Sequence, residues 1–313
     1  MTRIAVLGAS SRIAGDLIVW LSHKADVELA LFARHPGDTA LSLGRIGVAG
    51  PPRVMPYADF GAGGDYSAVF NFVGAGDPAR ILAMGSDVVA LTQRFDGLAL
   101  DYLRGHPRCR YIFASSGAAY GGSFEAPVDE QSRPAFPVAA PGSEDWYGMA
   151  KAEAERRHRA LPDLPIVDVR IFNYISPTQD LSARSFAMDA IRAIRDGTVL
   201  RVSADPMTRD YLHASDFCAL IDAVLAAPPA NDAIDCYSKA PVEKAELLAA
   251  FRQAFGLAYE LSPAGAGVNA TGRKPRYYSL SRRAARYGYA PRLTSRDGVL
   301  DAARIMLSAS VTS

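Results

Sequence analysis

Two hydrophobic patterns alternate along the first half of the chain: short apolar runs rich in β-branched residues, and longer stretches whose apolar positions recur every three or four residues. Ile4–Leu7, Leu29–Phe32, Arg53–Pro56, Ala68–Val73, Arg110–Ala114 and Ile166–Phe172 read as strands. Between them, Ile13–Ser22, Ile81–Leu103 and Tyr147–Leu161 read as helices, the last rich in Ala, Glu, Lys and Arg as a half-exposed helix should be. Strand, helix, strand in repeated succession is the pattern of a parallel sheet with crossover helices, an α/β doubly wound arrangement. Beyond about residue 174 the alternation loosens: helices are expected at Ala187–Asp196, Asp216–Ala226 and Glu243–Phe255, with no regular strands between them. That half reads as a smaller lobe over the carboxyl edge of the sheet. Pro134–Gly142, rich in Pro and Ala, reads as a loop.

Composition narrows the partners more than the fold. The 313 residues, 49% hydrophobic and 21% charged, can bury a large core. Thirty-four basic residues stand against 33 acidic ones, so no overall field gathers nucleic acid or an anionic membrane. An anionic ligand must be met by locally placed groups. Cys109, Cys218 and Cys236 lack the spacing of a metal or redox site, which fits a reducing, cytoplasmic setting and no metal centre. The start, Met-Thr-Arg followed by Ile4–Gly8, reads as a strand rather than a signal peptide. The apolar run Leu17–Leu21 is too short to span a bilayer.

Three local patterns carry candidate chemistry. Gly8-Ala9-Ser10-Ser11-Arg12-Ile13-Ala14-Gly15 follows a strand and opens a helix. A glycine there lets the backbone approach a pyrophosphate, whose charge sits on the helix N-terminus. The middle glycine of the usual G-x-x-G-x-x-G is replaced by Ser11, and the pattern alone fits a plain strand-to-helix turn equally well. Tyr147 and Lys151, four residues apart, stack on one helix face. A free phenol, with a pKa of about 10, is a poor acid or base at neutral pH, and an adjacent ammonium favours its ionisation. The same spacing also describes a surface pair. Ser115 and Ser116 end the strand that begins at Arg110, where ligands bind in open α/β sheets, although two serines can also cap a turn.

Taken with Arg209-Asp210-Tyr211-Leu212-His213, and in this order from Gly8 to about Pro291, these patterns resemble the extended short-chain dehydrogenase/reductase family of sugar-nucleotide epimerases, dehydratases and ketoreductases. The resemblance implies a Rossmann-type sheet. It also implies a dinucleotide-binding domain at residues 1–173 and 209–238 and a C-terminal α/β substrate lobe at 174–208 and 239–313. Tyr147 matches the catalytic tyrosine, Lys151 the lysine that holds the nicotinamide ribose, and Ser116 the hydroxyl that hydrogen-bonds the reacting oxygen. Gly8, Ser10, Ser11, Arg12 and Ile13 match the diphosphate turn; Val73, Gly74 and Ala75 match the loop along the ribose and pyrophosphate, with Ser115 beside it. Asp59 and Phe60 match a pair that brackets adenine, although Asp59 reads equally as a solvated acid. Asn173 matches a residue that meets the sugar nucleotide, or it caps a turn. Arg209 matches an arginine on the substrate diphosphate, or it pairs with Asp205 or Asp210. Arg273, Lys274 and Arg276 resemble a late phosphate-binding stretch of shorter spacing, and the stretches Tyr278–Arg282 and Gly288–Pro291 resemble architectural segments.

Two departures refine the expectation. Where dehydratases of the family carry an Asp-Glu pair, this chain has Gly117-Ala118, which disfavours dehydration. Phe32-Ala33-Arg34-His35 offers no carboxylate for a ribose hydroxyl; Arg34 with Arg12 would suit the 2′-phosphate of NADP, with NAD as the alternative if both arginines are merely solvated. The expected activity is a 4-ketoreductase on a nucleotide-activated sugar, alternatively a 4-epimerase that retains its cofactor. A non-catalytic dinucleotide-binding protein is the remote alternative, which would not need Ser116, Tyr147 and Lys151 together. A homodimer is implied by the family. Leu91, Phe95, Leu98 and Tyr102 form a stripe that would serve it or face the sheet instead.

Overall fold

The computed structural model describes residues 1–74, 78–137, 139–143, 145–263 and 274–310. The chain runs β1 (Thr2–Leu7), α1 (Arg12–Ser22), β2 (Val27–Phe32), α2 (Pro36–Arg45), β3 (Val54–Met55), β4 (Ala68–Asn71), α3 (Pro78–Met84), α4 (Asp87–Gly105), β5 (Arg110–Ser116), α5 (Asp145–Arg159) and β6 (Ile166–Ile171). It continues through β7 (Asn173–Ile175), α6 (Phe186–Asp196), β8 (Leu200–Ser203), β9 (Thr208–Arg209), β10 (Tyr211–His213) and α7 (Ala214–Ala226). The last elements are β11 (Asp232–Asp235), β12 (Val242–Glu243), α8 (Lys244–Phe255), β13 (Tyr259–Ser262), β14 (Arg276–Tyr277) and α9 (Ser295–Ser310).

Seven strands form one parallel sheet in the order β11-β6-β5-β4-β1-β2-β3. Their centres are continuous apolar runs buried on both faces, which only a sheet covered on each side can accommodate. On one face Leu17 and Ile18 of α1 and Phe217 and Ile221 of α7 pack against Ile4, Val6 and Phe70. On the other, Ala99 and Leu103 of α4 and Ala154 of α5 pack against Leu7, Val69 and Phe113. A further core joins Ile191 of α6, Phe251 of α8 and Val299 of α9 to Ile175 and Tyr211. Two small sheets tie this part to the main one: β10 pairs with β7, and β9 lies between β12 and β14. The strand order reverses between β1 and β4, so their carboxyl ends open a crevice for ligands.

Several elements differ from the sequence expectation. The stretch Ile81–Leu103 is two helices, broken at Gly85, whose φ of +50° takes the left-handed conformation that ends a helix. The strand pattern does not stop near residue 174, because β11 extends the sheet alongside β6. The helices α2 and α9 were not anticipated: α2 buries only Thr39 and Leu43, too few positions to show a period. The stripe on α4 turns inward at Phe95 and Tyr102, which meet Tyr57 and Phe60 at ring-centroid distances of 4.5 and 5.3 Å.

Buried charge locks the outer layer to the sheet. His158 of α5, fully buried, bonds Asp168 of β6 through Nδ1 at 2.6 Å and Asp96 of α4 through Nε2 at 2.7 Å. Arg157 and Arg159 complete the set, on Asp96 at 3.1 Å and Asp168 at 2.9 Å. Burial alone would lower the imidazole pKa; the two carboxylates outweigh it and raise it to about 9. Because this lies above the ordinary value of 6.5, protonation stabilises the fold fully below that value and ceases to do so as pH rises through about 9. His158→Gln should therefore cost about 3 kcal/mol or more near about pH 6, since it leaves two carboxylates short of a buried partner. The deficit against the parent, read from urea midpoints, should shrink towards about pH 10. A pH-independent deficit would mean that the imidazole is neutral.

Candidate active site

The turn after β1 is built around Gly8. Its φ is +80°, and a Cβ placed there would lie 2.8 Å from both the carbonyl carbon of Phe72 and the nitrogen of Val73. The β1–α1 turn and the loop after β4 thus touch backbone to backbone, and only glycine fits. Ser11 tolerates a side chain where the family pattern has glycine because its backbone is extended, at φ −68° and ψ 139°. Its hydroxyl caps nothing, which leaves the first N–H groups of α1 available to an anion. Ser10 is exposed and Ile13 half-buried beside this turn.

The two arginines expected at the 2′-phosphate behave differently. Arg12 bonds Asp180 at 3.3 Å, so its charge is partly satisfied within the chain. Arg34 is exposed and has no carboxylate within ion-pair distance among the described residues. Tyr57, which was not anticipated, reaches the Gly8 backbone with its phenol and lies near Arg34; burial raises its pKa, and the Arg34 charge opposes that. Asp59, two residues on, is exposed, while Phe60 packs edge-on to Phe32 at 5.4 Å and stacks on Tyr66 at 5.7 Å. Phe60 is thus held mainly by the core. Nothing local distinguished Tyr57 from Asp59, since both stand on one short 3-10 turn.

Beyond the sheet crevice, Val73 donates its N–H to Asn71 Oδ1 at 3.0 Å, and Gly74 faces Lys151, whose Nζ would stand 3.8 Å from a Cβ at that position. Ala75 lies outside the described residues. Lys151 is buried, donates from Nζ to the Ala114 carbonyl at 2.7 Å, and lies 4.3 Å from the centre of the Phe113 ring. Desolvation lowers its pKa to about 8 against the pull of Asp96, Glu155 and Asp168. Its Nζ is 5.7 Å from the centre of the Tyr147 ring. Burial raises the Tyr147 phenol, and a hydrogen bond with Ser116 partly offsets it. The phenol is therefore governed by burial and Ser116 more than by the lysine charge emphasised from spacing alone.

Ser115 and Ser116 point to different partners. Ser115 Oγ donates to Glu155 Oε1 at 2.5 Å, and Glu155 in turn receives the Arg170 guanidinium at 2.9 Å. Ser116 Oγ accepts the Ala118 N–H at 3.2 Å and lies 3.4 Å from the hydroxyl of Tyr277. Tyr277, from β14, is registered directly beside Arg209 of β9. Its ring sits 4.7 Å from Phe124 and 5.2 Å from Phe172. It had no signal in the sequence, where late aromatic residues read as packing. Asn173 Nδ2 donates to the carbonyls of Asp210 and Tyr277, both at 3.2 Å, so its amide nitrogen ties β7 to these strands.

Arg209 has no carboxylate partner among the described residues: its guanidinium meets the carbonyls of Thr208 at 2.9 Å and Pro275 at 3.4 Å, and desolvation lowers its pKa. The pairing considered with Asp210 does not form, because Asp210 Oδ1 accepts from Ser238 N and Ser295 Oγ, each at 3.0 Å. Arg273 lies outside the described residues; Lys274 stands 5.2 Å from the centre of the Tyr277 ring, and Arg276 bonds the Glu125 carbonyl at 2.6 Å. Among the described residues no group of three or more His, Cys, Asp or Glu side chains could hold a metal ion, and no helix is long and apolar enough to cross a membrane.

The sheet order, the glycine turn at its switch point and the Ser116–Tyr147–Lys151 cluster define an extended short-chain dehydrogenase/reductase. The model of the NAD dependent epimerase/dehydratase family matches residues 58–237, more than half of the chain, and the chain belongs to that family. Solved structures agree on the fold. UDP-glucose 4-epimerase from Bifidobacterium longum, in complex with NAD+ and UDP, superposes with a TM-score of 0.77 at 18% identity over 98% of both chains. UDP-glucose 4-epimerase from Thermotoga maritima, with UDP-glucose, gives 0.79 at 14% identity over 98% of this chain and 99% of that one. RMD from Pseudomonas aeruginosa, complexed with NADPH, gives 0.72 at 18% identity over 98% and 100%. No curated protein sequence matches the chain.

Gly8→Ala should lower stability by about 2 kcal/mol or more, because the positive φ and the contact with Phe72 and Val73 are penalised together. Ser11→Ala, by contrast, should change the unfolding free energy read from urea titrations by no more than about 0.5 kcal/mol. Equal, small effects at the two positions would contradict the close approach of the loops.

Proposed function

We propose that this chain is an NADP-linked oxidoreductase acting on a nucleotide-activated sugar, in the first place a 4-ketoreductase. The observation that carries this reading is the meeting of Ser116, Tyr147 and Lys151 at the carboxyl end of β5, beside Arg209, which has no carboxylate partner among the described residues. The Gly8 turn, which a Cβ would fill, and Gly74 beside Lys151 fit a nicotinamide dinucleotide. When bound, that group supplies the two-electron donor or acceptor.

The chain's own residues supply the rest. Backbone groups of Gly8, Ser10, Ser11, Arg12 and Ile13 hold the diphosphate, and Arg34 the 2′-phosphate, with Tyr57, Asp59 and Phe60 towards the adenosine end. Val73, Gly74 and Ser115 line the ribose side, where Lys151 Nζ would donate to hydroxyls; Ala75 of the same loop lies outside the described residues. Arg209 grips the substrate diphosphate through its planar guanidinium, and Asn173 stands near the sugar. Ser116 holds the reacting oxygen while Tyr147 exchanges a proton with it. Burial keeps the Tyr147 phenol protonated at neutral pH, which suits delivery of a proton to a carbonyl oxygen. The tilt towards the reductase over the 4-epimerase rests on Arg34, which suits an NADP that exchanges after each turnover. The epimerase is the second reading, favoured by the family model itself. Dehydration is disfavoured because a Cβ at Gly117 would strike the Phe172 ring, leaving no room for an acid. The reading includes a homodimer through α4 and α5.

Tyr147→Phe should reduce turnover by about a hundredfold or more while leaving cofactor affinity within a few fold, whereas Lys151→Ala should harm both. Because Lys151 loses its proton as pH rises through about 8, turnover in the reducing direction should fall above that pH. A flat profile there would separate the lysine charge from catalysis. The substrate class is tested with nucleotide-linked 4-keto sugars beside nucleotide-linked hexoses: stoichiometric oxidation of NADPH identifies the reductase, interconversion of isomers without net oxidation the epimerase. NADPH should outcompete NADH about tenfold, and Arg34→Ala should erase that margin. Equal affinities in the parent protein, unchanged by Arg34→Ala, would mean that the arginine is merely solvated.

A further inference from the structure

On the substrate reading given above, we propose that Tyr277 is a displaceable gate over the reaction centre: its hydroxyl holds the position on Ser116 that the reacting oxygen of the sugar must take. A serine hydroxyl has one hydrogen to donate and two sites to accept with. Ser116 Oγ has two hydrogen-bond partners, the Ala118 N–H at 3.2 Å and the Tyr277 hydroxyl at 3.4 Å, with the Tyr147 phenol close by. A substrate oxygen seated between Ser116 and Tyr147 meets the Tyr277 hydroxyl already resting on Ser116 and takes that place only when the hydroxyl leaves.

These neighbours are not equally easy to move. The Ala118 N–H is fixed in the turn that continues β5, and Tyr147 is carried on a 15-residue helix packed against that turn. Tyr277 stands on a strand of two residues, and its 3.4 Å contact is at the long end of hydrogen bonding. One end of its side chain meets Ser116 while its ring lies 6.0 Å from the Arg209 guanidinium. A ligand that spans from a diphosphate on Arg209 to a sugar carbon at Ser116 has to pass this ring.

The support beneath the ring carries backbone strain. Phe124, whose φ is +54°, is the one non-glycine residue with positive φ among the described residues. It packs edge-on to Tyr277, and its carbonyl accepts the N–H of Arg276, the other residue of β14. Strained residues of this kind persist where the surroundings over-determine them and gather at clamps and switch regions.

Two measurements test the gate. In the first, UDP-, dTDP- and GDP-linked hexoses, each beside its bare nucleoside diphosphate, are titrated calorimetrically into the parent protein and Tyr277→Phe with NADP+ present. Removing the competing hydroxyl should tighten binding of the hexose conjugate about threefold to tenfold and leave the bare diphosphate unchanged. Weaker binding of the conjugate, or equal tightening of both ligands, overturns the gate. The second needs no substrate: Ser116→Cys is alkylated with iodoacetamide, alone and combined with Tyr277→Ala, and followed by intact mass. The native Cys109, Cys218 and Cys236 are buried, with thiols pushed up by desolvation, and give a low background. Alkylation should be about tenfold faster in the double variant. Equal rates overturn the gate as well. If alkylation accelerates and no nucleotide-hexose binds either protein, the gate stands and the sugar-nucleotide reading falls.

Discussion

Asp96 is the point through which the sheet, the outer helices and the crevice are made to agree. It lies fully buried on α4, accepts from His158 of α5 and from the Tyr111 hydroxyl of β5 at 3.0 Å, and is ion-paired with Arg157 of α5. Tyr111 in turn accepts from Asn71 Nδ2 at 2.9 Å, and Asn71 Oδ1 takes the Val73 N–H at the mouth of the crevice. A buried carboxylate is tolerable only when such partners surround it, so the cost of losing one binds α4, α5, β4 and β5 to a single arrangement. The rotation of α5 follows. Residues 147, 151 and 158 fall on one helix face, and once His158 is clasped between Asp96 and Asp168, Lys151 is turned to the Ala114 carbonyl and Tyr147 to Ser116.

Desolvation then divides the labour at the site. The same exclusion of water that raises the Tyr147 phenol lowers Lys151, so the two titrations are driven apart: the phenol keeps its proton to higher pH and the ammonium gives its up at lower pH. Arg209 is also partly stripped of water, with backbone carbonyls for company and no carboxylate among the described residues. Carbonyl dipoles do not neutralise a guanidinium. A diphosphate that arrives there gains more than it would from a solvated arginine such as Arg34.

Whatever depended on local spacing could be read in the sequence. The central strands declared themselves by continuous burial, Gly8 by its place between strand and helix, and Tyr147 with Lys151 by one helical turn. What escaped depended on contacts between distant residues. The Arg12–Asp180 bond joins positions 168 apart, and Ser116–Tyr277 joins positions 161 apart. Tyr57 reaches Gly8 only because β3 pairs with β2. The helix α9 hides its apolar face, Val299, Ala302, Ala303 and Met306, among small residues that carry a weak hydrophobic signal. β11 is a short run, Asp-Ala-Ile-Asp, whose acids are used inside: Asp235 accepts from the Tyr120 hydroxyl at 2.9 Å, so polarity there did not mean exposure.

Phe172 connects the chemistry this chain lacks to the residue it has in place. The ring occupies the space a side chain at Gly117 would need, and it also packs 5.2 Å from Tyr277 and 6.4 Å from Phe124. An acid at position 117 would have to push this ring aside. The ring is held between Tyr120, Tyr277 and the strained Phe124, and motion towards the last two would disturb the hydroxyl now resting at Ser116. An acidic pair after Ser116 and a phenol held over it therefore compete for one volume, and in this packing the phenol has it. The small residues at 117 and 118 are as much a condition for seating Tyr277 as a loss of dehydratase machinery. The same aromatic cluster thus fixes both the space beside Ser116 and the seat of Tyr277.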